Sequence, residues 1–105
     1  MAKFQTFDSN VSSVDLSRAI ISDGCAVVEG LLSPETLNII TNELSPHIER
    51  TETPDPDPFM GHKTKRFGAL LSRCPSSRDI AVLPIILEVA DHILRPYCAR
   101  YRINY

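Results

Sequence analysis

The feature that most constrains this chain is its last stretch, "CARYRINY", residues 98–105, where Ala99, Tyr101, Ile103 and Tyr105 alternate with Arg100, Arg102 and Asn104. A period of two is the pattern of a strand with one buried and one wet face. Such a strand needs neighbours on its hydrogen-bonding ladder, because an open edge is a liability. Inside the chain only two stretches offer themselves. One is the short apolar run in "CAVVEG", residues 25–30; the other is an irregular strand expected over Arg66 to Leu71. These are too few to make a sheet, so the sequence predicts that the main sheet begins here and that the natural protein continues beyond residue 105.

Upstream, the periodicity is mostly helical. Val14, Leu16, Ala19, Ile20 and Ile21 follow a period near 3.6, with Ser12 or Ser13 available as a cap and Asp23-Gly24 as a left-handed stop. Residues 1–12 are polar and are expected to be loose. In "LLSPETLNIITNEL" Ser33 stands at the N-cap, Pro34 at the first helical position and Glu35 in the first turn, where negative charge suits the helix dipole. Leu37, Ile40, Leu44 and Ile48 form one face of that helix, which Pro46 is expected to kink or shorten. Ser76 or Ser77 caps a short helical turn through Leu83. A further helix starts at Pro84, with Ile86, Leu87, Ala90, Ile93 and Leu94 expected on its buried side and Pro96 as its stop. Between the two helical regions, "RTETPDPDPFMGH" at 50–62 sets three prolines among acids and reads as a loop. Loops of that length in compact domains are often lids or entrances.

Composition narrows the class. A chain of 105 residues, 43% apolar and 23% charged, suits one small globular domain. A formal net charge of −2 argues against a dedicated nucleic-acid binder, whose footprint is usually basic. The N-terminal residues lack the apolar core of a signal peptide, and the apolar run from Ile80 to Leu87 is interrupted by Pro84 and too short to cross a bilayer. Cys25, Cys74 and Cys98 are odd in number and widely spaced, so they read as reduced thiols rather than a disulfide frame or zinc site. The expectation is a cytoplasmic protein with neither nucleic-acid nor membrane partner.

Few residues offer chemistry. His47-Ile48-Glu49 spells H-x-E, part of a two-His-one-carboxylate iron site. On a helix, however, positions i and i+2 point about 200° apart, so both side chains cannot hold one ion. The expectation is two exposed residues at a helix end. His92 is placed near a helix C-terminus, where an imidazolium suits the dipole. The basic stretch "GHKTKRFGALLSRCP" at 61–75 carries Lys63, Lys65, Arg66 and Arg73, which can meet phosphate or carboxylate groups, but it lacks the glycine spacing of a phosphate loop. No complete active site and no metal site can be read from the residues.

The order of "DGCAVVEGLLSPETLNIITNEL" and "FMGHKTKRFGALLSRCPSSRDIAVLPIILEVADHIL" resembles the N-terminal portion of the phytanoyl-CoA dioxygenase (PhyH-like) family, the non-heme iron, 2-oxoglutarate-dependent oxygenases. The pattern is most similar to that of fungal natural-product members and covers about residues 20–105. The resemblance implies an α+β fold: a helical N-terminal layer over 13–105 that leads into the first strand of a double-stranded β-helix, the jelly roll. It also implies that the catalytic barrel, with the Fe(II) ligands H-x-D and a distal His and the Arg that holds 2-oxoglutarate, lies beyond this chain. Neither cofactor is then expected to bind the chain alone. The family's loop before the basic residues approaches the active-site mouth, which makes Phe59, Met60, His62, Lys65 and Arg66 substrate-pocket candidates for a small molecule. Two other functions stay open at this point: a non-catalytic remnant or interaction module, and an anion-binding module using the stretch from Lys63 to Arg73.

Overall fold

The structure, a computed structural model, describes residues 3–50 and 64–104. In chain order its elements are strand β1 (Gln5–Phe7), helix α1 (Ser13–Asp23), strand β2 (Ala26–Val28), helix α2 (Pro34–Arg50), the short helices α3 (Leu70–Arg73) and α4 (Ser76–Ala81), and helix α5 (Pro84–Leu94). They fall into two compact units, one formed by the residues up to Ser33 together with Ile80–Asn104, the other by Pro34–Asp79.

In the first unit α1 begins and ends where its sequence dictates. The Ser12 hydroxyl accepts the Asp15 N–H at 3.1 Å, satisfying one of the donors left over at a helix start. At the other end Gly24 takes φ +84° and donates its N–H to the Ile20 carbonyl at 2.9 Å. Beyond it, β2 lies parallel to β1 with Thr6 opposite Val27, and α1 is the crossover that a parallel pair requires. Strand β1 falls within the stretch expected to be loose. Its three residues are too short for alternation to show, and its partner is remote in sequence.

The core of this unit is small. Leu16 is 7% and Ala19 2% exposed, and the buried Ser17 is satisfied by donating to the Ser13 carbonyl at 2.6 Å. Helix α5 packs against α1 and, as expected, carries Pro84 in its first turn. Its half-buried residues are Ile85, Val89, Ala90, Asp91 and Ile93, whereas Ile86, Leu87 and Leu94, expected inside, are exposed. Apolar residues surround most of this helix, so periodicity cannot choose its buried face. The expected strand at 98–105 is not formed among its described residues. Instead, the Tyr101 hydroxyl donates to Asp91 at 2.5 Å, and Arg95 donates to the same oxygen at 2.8 Å. A period-two segment becomes a strand only when a ladder partner is present.

The second unit starts with α2, which runs from Pro34 through Pro46 to Arg50; the proline does not end it. None of its residues is fully buried, and Leu37 and Ile48 of the expected apolar face are exposed. Residues 64–69 carry no regular structure, and the strand expected at Arg66 to Leu71 is not formed; Leu70 and Leu71 open α3 instead. Ala69, in the left-handed region at φ 57° and ψ 42°, turns the chain into that helix. Helix α4 begins at Ser76. No helix among the described residues is long and apolar enough to cross a membrane.

Candidate functional site

Of the five substrate-pocket candidates, Phe59, Met60 and His62 lie outside the described residues, as does Lys63. Lys65 and Arg66 are exposed on the irregular segment 64–69, and Arg73 is exposed in the last turn of α3. An apolar groove of about 450 Å³ in the first unit, lined by Leu16, Ile20, Val28, Ile85, Val89 and neighbours, includes neither of the two described candidates, Lys65 and Arg66.

The H-x-E pair sits in the last turn of α2, as the helical reading requires. His47 differs from its expected exposure: it is half-buried, and its ring stacks on Phe67 with centroids 5.9 Å apart and planes 28° apart. Glu49 is exposed. His92 is also engaged, its Nε2 lying 3.3 Å from the Ser13 hydroxyl, so that it links α5 to the start of α1. Among the described residues no three His, Cys, Asp or Glu side chains converge on a point where a metal ion could be held. The residues present there do not fit an iron site.

What the sequence did not reveal is a polar node in the second unit. Glu43 projects from α2, and its Oε2 accepts both the Cys74 thiol at 3.1 Å and the Ser76 N–H at 3.0 Å. Its Oε1 accepts the Ser76 hydroxyl at 3.0 Å. The Cys74 thiol, the Ser76 bonds and the nearby Arg78 guanidinium hold the Glu43 carboxyl below the usual carboxylate range. Cys74 is 0% exposed, and burial, followed by the adjacent carboxylate, pushes its thiol up. Both effects favour the protonated thiol, the form that donates to Glu43. Around the node, the Ser77 hydroxyl donates to the Cys74 carbonyl at 2.6 Å and Arg78 Nε to the Leu71 carbonyl at 2.6 Å. "CPSS" marks a helix start in the sequence, but nothing local indicates that the acceptor for Ser76 comes from a glutamate 33 positions earlier.

No family model matches the chain. Curated relatives do. Over 93 residues, 87% of this chain, it is 27% identical to the multifunctional dioxygenase prhA of Penicillium brasilianum and 28% identical to the multifunctional dioxygenase ausE of the same fungus. Over 77 residues, 72% of the chain, it is 26% identical to the ausE dioxygenase of Aspergillus calidoustus. The matched residues span 31% of the length of each Penicillium protein and 26% of the Aspergillus one. The chain is thus similar, across most of its own length, to about a third of a fungal multifunctional dioxygenase.

Proposed function

We propose that this chain is a portion of a non-heme iron, 2-oxoglutarate-dependent oxygenase that oxidises a small metabolite, and that it shapes the substrate mouth instead of holding the metal. The observation that carries the proposal is the similarity to the fungal multifunctional dioxygenases, which extends over 87% of the chain. In this reading the family is the phytanoyl-CoA dioxygenase-like one, and the alternating residues from Ala99 onward lead into the first strand of its jelly roll. Fe(II) and 2-oxoglutarate bind residues of that barrel. The contribution of this chain is the basic segment with Lys65 and Arg66, whose exposure leaves both free to face a bound small molecule. No step of the oxidation is assigned to a side chain of this portion.

A chimera tests the proposal. This chain replaces the matched third of the Penicillium ausE dioxygenase, and the folded product is assayed for oxidation that depends on ferrous iron and 2-oxoglutarate. Retained turnover with altered substrate selectivity is the expected result. A chimera that is folded, binds iron and oxidises nothing would overturn the proposal.

A further inference from the structure

Two contacts of the second unit share one stripe of one helix. Glu43 and His47 are four residues apart on α2, so their side chains leave the same face, one turn apart. Glu43 holds Cys74 and Ser76, and His47 stacks on Phe67. The stretch from Phe67 to Ser76 is therefore fastened to α2 at both ends. Within it Ala69 occupies the left-handed region at φ 57°, which a side chain with a Cβ seldom adopts. Strain of that kind persists where the surroundings over-determine the backbone. Lys65 and Arg66 immediately precede the fastened stretch and make up its exposed lead.

We propose that Glu43 and His47 are positioning residues, a two-point clamp that fixes where the basic lead of Lys65 and Arg66 is presented. Its functional meaning rests on the reading of that segment as part of a substrate mouth, but its geometry does not. The clamp is built for a carboxylate: the three donors converging on Glu43 need an acceptor on both of its oxygens, and an amide offers one acceptor oxygen and a donor NH₂. The groups that face it are the Cys74 thiol and the Arg78 guanidinium, with His47 one turn along the same helix.

The test uses the whole chain and two local reporters. Cys74 alkylation by iodoacetamide reports the Glu43 end, with the exposed Cys25 as internal reference. Tryptic cleavage of the Arg66–Phe67 bond reports the His47 end, with cleavage after the exposed Arg100 as reference. Glu43→Gln is expected to speed Cys74 alkylation about tenfold, the loss of roughly one charge-assisted hydrogen bond, with Cys25 unchanged. His47→Ala is expected to speed Arg66–Phe67 cleavage several-fold, and His47→Phe, which keeps a stacking ring, to restore the slow rate. In an active chimera of the kind described above, Glu43→Gln should raise KM while leaving kcat nearly unchanged, a split that general destabilisation does not produce. Unchanged rates at both reporters in folded variants would overturn the clamp, and so would equal acceleration at the reference sites. Neither result touches the dioxygenase reading, which stands or falls with the turnover of the chimera lacking these substitutions.

Discussion

The two compact units are held by different forces. In the first, strand pairing, a capped helix and a small apolar core around Leu16 and Ala19 act together. In the second, α2 buries no residue completely, and Cys74, the one fully buried side chain among that unit's described residues, donates its thiol to a carboxylate. The first unit should therefore respond to changes of volume, the second to changes of hydrogen bonding and charge. Polar anchors are directional, so a unit built on one can hold a segment in a defined place with little apolar area beneath it.

The sharpest way to break this contrast is Leu16→Ala. Removing a buried leucine from so small a core should cost about 2–5 kcal/mol in urea unfolding; a loss below about 1 kcal/mol would mean that the apolar core does not hold the first unit. Next in size is Gly24→Ala. A Cβ there meets nothing within 4 Å, so the cost of about 1–2 kcal/mol is that of the left-handed backbone alone. Ser12→Ala, which deletes the α1 cap, should cost about 1 kcal/mol by the same measurement.

The second unit should answer to pH. Glu43 has a lowered pKa in the fold, so its stabilising contribution is complete above the ordinary carboxylate pKa and is lost as pH falls through the still lower folded value. Cys74 has a raised pKa, so its contribution is complete below the ordinary thiol pKa and is lost as pH rises through the folded one. The Ser76 amide resonance, followed by NMR, should move in both windows; an amide that titrates in neither would remove the node from the account. The smallest effect belongs to Lys65→Ala, which should change stability by no more than about 0.5 kcal/mol, since the side chain is exposed.

Features written locally in the chain were legible from the sequence. Ser12, Gly24, Pro34 and Pro84 mark helix ends through their own backbone and side-chain chemistry, and each stands where that chemistry predicts. Features that depend on a distant partner were not legible. Gln5–Phe7 becomes a strand only because Ala26–Val28 lies beside it, and Ser76 is held by Glu43. The alternating tail shows the converse, a strong local pattern with no strand formed over its described residues. For the candidate site, the basic, glycine-containing stretch singled out Lys65 and Arg66 as residues that could meet a ligand, but nothing in it marked Phe67 and Cys74 as anchor points. A stacked ring and a thiol–carboxylate bond have no signature in spacing.

The proposal at the centre is that this chain is a portion of an oxygenase to which it supplies shape, the metal being held by other residues. The direct measurement is an anaerobic ferrous titration of the chain followed by an aerobic assay for succinate formed from 2-oxoglutarate. His47 and Glu49 diverge on one helix, and no other described residues converge as ligands, so the account predicts no stoichiometric iron binding and no succinate. Tight one-to-one iron binding accompanied by succinate formation would contradict it.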